Sequence, residues 1–491
     1  MTRGETVGAR SVAKFRYSAR GLVARLSTLA SLEHGNLGEA RSGKVRYGSG
    51  KIGRFRLAHA KRVVSSQVGT TAVANLCLMG LGLLTGTLGA RLLGPSGRGQ
   101  LAAIQLWPMT AVALGSGGLQ EAMVYYCGRH REQSRRIATT SIVLLLAISP
   151  VLMVLGYLVM PRLLAAEPAT VVRQAQLYMV IVPVLFVVFA GLNVLRALSD
   201  FRVWNSLRLA LPAGYACVLL FAIPMHAHRV TWVAFGYFGW AAVLLILAVW
   251  IFRHRLHGTA GFDTRYVRPL TRCGALSVSA NAPASLNQRL DQMVIGAFLP
   301  PRLLGLYAVG VTWSMAVTPL SNAFSQVILP RLAGAHDARE AGERLCRASR
   351  VVAAATGVVA LVLLAVSPVA VRLLFGPAFV PAIPTTLVLV LAAALFGMNT
   401  FYEEALRGLG RPGLAATAEF AGLFVTVPAL YLLLPRAGIL GAAIASFLAY
   451  GTVLGALVGL LWTRAGLRPG RLFVMHMSDT RELISRGQSD V

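Results

Sequence analysis

The chain has 491 residues, of which 56% are hydrophobic and only 13% charged. That balance excludes both an ordinary soluble domain and a disordered chain and places most of the protein in a membrane. A net charge of +29 would suggest nucleic acid in a soluble protein, but here the arginines fall in alternate connections between apolar runs. The charge therefore reports topology, and no nucleic-acid partner is expected.

In chain order, residues 1–62 come first. They carry all four lysines (Lys14, Lys44, Lys51, Lys61) amid Arg, Ser and Gly, and are expected to be a basic, poorly ordered cytoplasmic tail. Phe15 to Leu32 reads either as a short amphipathic helix on anionic lipid or as solvated chain. The composition also fits a transit peptide or residues ahead of the true start. Six runs long enough to cross a bilayer follow within residues 63–255: Val64 to Leu93, Gly99 to Cys127, Ile137 to Met160, Ala175 to Leu198, Val203 to Pro224 and Val230 to Phe252. A linker, residues 256–272, leads to a second six within residues 273–464: Cys273 to Phe298, Leu303 to Pro330, Val351 to Phe375, Ile383 to Leu406, Leu414 to Leu434 and Ile439 to Trp462. Residues 465–491 form a C-terminal tail. The fold class expected is an all-α polytopic membrane protein with twelve transmembrane helices.

Arginine clusters after the second run (Arg129, Arg131, Arg135, Arg136), the sixth (Arg253, Arg255, Arg265, Arg268, Arg272) and the eighth (Arg331, Arg339, Arg344, Arg347, Arg350) predict both termini in the cytoplasm. The second six runs echo the first. Gly89-Ala90 recurs as Gly296-Ala297, and Gly99, Ala102 and Trp107 recur at one spacing as Gly305, Ala308 and Trp313. A second register matches Leu195-Arg196-Ala197-Leu198 to Leu406-Arg407-Gly408-Leu409. Duplicated bundles of this kind hold a substrate site between halves that rock against each other.

Catalytic chemistry finds no foothold, and no enzyme activity is expected. The chain lacks a P-loop, the outer connections are short, and the five cysteines show no metal-binding or disulfide spacing. Gly80, Gly82, Gly86 and Gly89 lie inside an apolar run and read as close helix packing. The most specific polar pattern is in the seventh run, where Ser277, Asn281, Ser285 and Arg289 recur every four residues on one helical face, flanked by Gln288 and Gln292. Asn287 and Asp291 form a second such pair, and Pro283 should loosen the helix before the charges. Arg289 and Asp291 should face the bundle interior or a wet cavity, or neutralise neighbouring helices. The first run repeats the lower stripe as Thr71 and Asn75, with Leu83 where Arg289 stands. Arg289, Asn281, Ser285, Gln288 and Asn75 are thus the cavity candidates. Glu403 and Arg407 read as an i, i+4 ion pair, and Glu404 and Glu121 as gate residues or snorkelling side chains. Arg208 and Glu419, equivalent in the second register, read either as an interlobe pair or as a coincidence of spacing. Asp291 and Glu121 are the acids that would couple transport to a sodium or proton gradient; no other cofactor is implied.

The stretch ARLLGPSGRGQLAAIQLWP (Ala90 to Pro108), with LQEAMVYYCGR after it, resembles bacterial polysaccharide flippases of the MATE-like superfamily. So do Leu286 to Gly310, Ser325 to Ala333, Leu373 to Ala382 and Glu404 to Pro412. The resemblance implies two six-helix lobes around a central cavity and alternating access in the inner membrane of a bacterium. It also implies an undecaprenyl-pyrophosphate-linked glycan as substrate, moved without ATP, with membrane lipid around its tail and a glycan polymerase or glycosyltransferase as partner. Arg suits that substrate because its fork donates charge-assisted hydrogen bonds to phosphate. Two other functions fit the same sequence: a cation-coupled drug or metabolite exporter of the same superfamily, and a membrane scaffold for glycan-assembly enzymes.

Overall fold

The computed structural model describes residues 52–224, 229–334, 337–467 and 469–473. The expectations for the basic tail up to residue 51, and for most of the C-terminal tail, lie outside the described residues. Every regular element among the described residues is helical, as it must be where lipid offers no hydrogen bonds to the backbone. The first set comprises α1 (Ile52–Gly115), α2 (Leu119–Arg129), α3 (Ser134–Leu163), α4 (Ala169–Tyr178), α5 (Ile181–Ala197), α6 (Phe201–Ala222) and α7 (Val230–Arg255). The second comprises α8 (Thr264–Asn287), α9 (Leu290–Phe298), α10 (Pro301–Ser314), α11 (Thr318–Ala333), α12 (Ala338–Ala370), α13 (Ile383–Gly408) and α14 (Pro412–Ala465), with a short α15 (Pro469–Phe473).

Among the described residues, eight helical stretches are long and apolar enough to cross a membrane, or nine if α4 and α5, bent by 41°, form one span. Twelve spans were expected, and the difference has two physical sources. Two of the eight stretches, of 43 and 53 residues, are each interrupted by a glycine with non-helical backbone: Gly94 (φ 66°) in α1 and Gly438 (φ 55°) in α14. Only glycine adopts that left-handed region without strain, so each glycine joins two legs of one long helix. The expected seventh span is divided between α8 and α9, and its polar residues keep α8 below the apolarity of a lipid-facing helix.

Packing follows the duplication. In the first set α5 lies against α2 and α7, and α6 against α7; in the second, α13 lies against α11 and α14, and α8 against α14. Contacts across the sets include those of α2 and α3 with α8. Pro301–Ile328, covering α10 and most of α11, is central, with 61% of its most apolar stretch buried, whereas Arg131–Leu163 has only 11% buried. The outer faces expose large apolar side chains such as Leu158, Ile246, Phe424 and Tyr431, which suits a lipid surround.

Candidate functional site

The two helix sets meet tightly at the end of the bundle away from the arginine-rich connections. Gly99 and Gly305, equivalent in the repeat, face each other there. A Cβ on Gly99 would overlap the Pro301 carbonyl, and one on Gly305 the Pro95 carbonyl. Gly86 is similarly pressed against Thr312. Arg91 completes the closure: its Nε donates to the Leu374 carbonyl at 2.7 Å and its Nη2 donates to the Leu373 carbonyl. These are the terminal carbonyls of the turn Val371–Phe375 that follows α12, where a cation is favoured.

Below that closure lies a cavity of about 820 Å³. The first set contributes Asn75, Leu78, Met79, Gly82 and Leu83 of α1, Arg196 at the end of α5 and Arg208 of α6. The second contributes Thr312, Thr318, Asn322, Ser325, Gln326, Thr400 and Glu404, with apolar residues between them. Arg208 donates to Asn75 Oδ1 at 3.2 Å and lies over the Trp204 ring, 4.3 Å from its centroid. Neither Arg208 nor Arg196 has a carboxylate partner among the described residues. The cavity carboxylate, Glu404, is already paired with Arg407. In the connections the charges are matched: Asp200 with Arg255 at 3.0 Å, and Asp263 with Arg265 at 2.8 Å and Arg136 at 3.9 Å. Hydrogen bonds from Arg265 hold the Asp263 carboxyl below the usual carboxylate range.

The polar stripe of α8 faces elsewhere. Ser277, Asn281 and Ser285 line a separate small pocket of about 80 Å³ against Ser116, Gly118 and Glu121, and Asn281 accepts a hydrogen bond from Arg407 at 3.0 Å. Asn281, Ser285 and Glu121 are therefore brought together, and Asn75 and Arg208 are brought together, but in two different places. The chain leaves helical geometry at Arg289 (φ −129°, ψ −16°) rather than at Pro283. Arg289 is half-buried, does not line the large cavity and meets no carboxylate among the described residues. Gln288 is half-buried at the same break.

Asp291 is buried and fully engaged, accepting from the Tyr307 hydroxyl, from Ser446 Oγ at 2.9 Å and from the Gln292 amide at 2.6 Å. Glu419 is also buried: its Oε2 accepts from Asn287 Nδ2 at 2.7 Å, while Asn287 Oδ1 accepts from Thr426 at 3.1 Å. Arg208 and Glu419 form no ion pair in this conformation. Instead, Glu403 lies beside Glu419, and Arg407 reaches Glu403 at 4.0 Å while bonding Glu404 more closely.

The cavity residues absent from the sequence reading are Arg196 and the polar face of α11. Both carry a visible signal. Thr318, Asn322 and Gln326 recur every four residues along one face of α11, and Arg196 lacks the acids that precede its repeat partner Arg407: Leu192 and Asn193 stand where Glu403 and Glu404 do.

Comparison with known proteins agrees with this geometry. The Polysaccharide biosynthesis protein family model matches residues 64–336, more than half of the chain. The fold is similar to a structure of the lipid II flippase MurJ in an inward closed conformation, with a TM-score of 0.70 at 12% identity, covering 85% of this chain and 92% of that one. It is also similar to an inward-facing MATE-family multidrug resistance transporter (TM-score 0.64, 16% identity, 81% and 98% of the two chains) and to a eukaryotic MATE transporter (0.61, 13%, 86% and 98%). At such identities these likenesses concern the fold. No curated protein matches the sequence. The chain belongs to the Polysaccharide biosynthesis protein family.

Proposed function

We propose that the protein is a flippase for a polyprenyl-pyrophosphate-linked oligosaccharide, working by alternating access. The observation that carries this reading is the pair Arg196 and Arg208, two guanidinium groups lining an 820 Å³ cavity with no carboxylate partner among the described residues, beneath a closed end. A pyrophosphate supplies the missing anion, and Arg forks bind it in bidentate fashion. The polyprenyl tail stays in lipid while the headgroup crosses. In this reading the bent pair α4–α5 is one span, the two legs of α1 and of α14 are separate spans and α8–α9 is a further, polar span, which brings the count to twelve in two six-helix lobes. The arginine-rich end is cytoplasmic, the membrane is the bacterial inner membrane, and a glycosyltransferase or polymerase acts on either side of the step. The adjoining carboxyls of Glu403 and Glu419 offer oxygen ligands to a small cation, which supports coupling to a cation gradient.

The test is rescue of surface glycan in a flippase-deficient strain, with transport in proteoliposomes as the direct measure. Rescue by the wild type and loss in an Arg196→Ala/Arg208→Ala variant at normal folded yield is expected. Full rescue by that variant would remove the basis of the reading. The Glu403–Glu419 contact also fits a cation-coupled drug exporter. Gradient-driven efflux of cationic dyes without glycan rescue would favour that function instead.

A further inference from the structure

The cavity walls differ in chemistry. The first helix set supplies both free cations, Arg196 and Arg208, whereas the second supplies polar but uncharged groups, its Glu404 being neutralised by Arg407. Most of those polar groups are already committed. The hydroxyls of Thr312, Thr318, Ser325 and Thr400 donate to the carbonyls of Ala308, Met315, Ser321 and Phe396, three or four residues earlier in the chain. The amides of Asn322 and Gln326 are not committed: neither has a hydrogen-bond partner among the described residues, and both line the cavity four residues apart on α11. Each amide offers two donors and one acceptor group, the complement of a sugar hydroxyl that both donates and accepts. Two such amides, one helical turn apart, span adjacent hydroxyl or acetamido substituents of a pyranose ring.

We propose that Asn322 and Gln326 form a sugar-reading subsite that recognises the residue attached directly to the pyrophosphate, and that this first sugar is uncharged. The inference rests on the flippase reading: with the pyrophosphate on Arg196 and Arg208, the first sugar is carried across the cavity to α11. A uronic acid would find no free cation on that wall, and a protonated amino sugar no free carboxylate. A neutral hexose or N-acetylhexosamine satisfies both amides. Because a buried donor or acceptor left without its partner is penalised, such a site discriminates by absence as well as by attraction.

The test measures binding of three lipids to the full-length protein in nanodiscs: undecaprenyl pyrophosphate, the same lipid bearing N-acetylglucosamine, and the same lipid bearing glucuronic acid. Wild type is expected to prefer the neutral-sugar lipid over the bare lipid by about tenfold, the size of two modest hydrogen bonds, and to show no such gain for the uronic acid. Asn322→Ala/Gln326→Leu should lose that preference while binding the bare lipid like wild type, which also reports that the variant is folded. Gln326→Leu alone, at an exposed side chain, should lose part of it. Arg208→Ala should weaken all three lipids by a common factor. A preference that survives in the double variant, equal binding of bare and neutral-sugar lipids by wild type, or an equal gain for the uronic acid overturns the subsite and leaves the flippase reading standing. Failure of wild type to bind any of the three brings down that reading and the subsite with it.

Discussion

Arg196 and Arg407 occupy equivalent places in the internal repeat, each near the end of its helix, yet they live in opposite electrostatic surroundings. In the second helix set, Glu403 and Glu404 precede Arg407 by one turn, and Arg407 is tied to both and to Asn281. In the first set the corresponding residues are Leu192 and Asn193, and Asn193 is occupied with Gln120 at 3.1 Å. Arg196 is left unneutralised on the cavity wall. The next equivalent pair repeats the lesson: Arg208 faces the cavity, whereas Glu419 is buried against Asn287. Duplication therefore preserved the scaffold while charge was redistributed, giving one wall free cations and the other a self-satisfied network.

The comparison breaks most sharply under substitution of the two arginine sites. Arg196→Ala/Arg208→Ala should abolish glycan export with folded protein at normal abundance, since neither guanidinium neutralises a protein carboxylate. Arg407→Ala should do the reverse in kind, lowering thermal stability by about 2 kcal/mol because Glu403 and Glu404 lose their charged hydrogen-bond partner. Export and detergent-stable yield measured in parallel separate the two. Equal loss of yield in both variants would show that the two arginines play the same role.

Where the scaffold itself is symmetric, substitutions should be symmetric too. Gly99→Ala and Gly305→Ala each drive a Cβ into a backbone carbonyl of the opposite helix, and a backbone cannot yield as a flexible side chain does. Each variant is expected to prevent the closed end from forming, to cut transport by at least about fivefold through strain of roughly 1–3 kcal/mol, and to prevent a disulfide between cysteines placed at Arg91 and Leu374. Strongly unequal effects would mean that the two glycines are not mirror partners.

Much of this architecture is legible in the sequence because apolar length and repeated glycines are local signals. Gly99 and Gly305 stand out from spacing alone, and Asn75 reaches the cavity as its polar position in an apolar run suggests. The direction in which a polar helix face points is not local. Ser277, Asn281 and Ser285 share a stripe with Arg289 only while the helix continues, and the break at Arg289 separates that side chain from the stripe. Asp291 likewise reads as an intramembrane charge awaiting a role, but Tyr307 and Ser446, distant in sequence, satisfy it. Export by Arg289→Ala should accordingly remain within about twofold of wild type, a change below 0.5 kcal/mol. A complete loss would mean that Arg289 swings into the cavity in another state of the cycle.

The smallest effect concerns a carboxyl that has no counterpart in the network of the second set. Glu167, in the connection between α3 and α4, is 7% exposed and neither of its oxygens has a hydrogen-bond partner among the described residues, whereas Asp291 and Glu419 are buried with partners. Desolvation alone raises its pKa from 4.5 to about 7. The sign follows from proton counting. Between those two values the folded protein holds a proton that the unfolded chain has released, so stability falls as pH rises through this window and levels off above about pH 7. Glu167→Gln keeps the shape and cannot ionise. It should therefore match wild type at pH 4 and melt a few degrees higher at pH 8, with the slope between them flattened. An unchanged slope would place a compensating cation beside Glu167 in the folded protein, and the unpaired carboxyl of the first helix set would then be as well neutralised as those of the second.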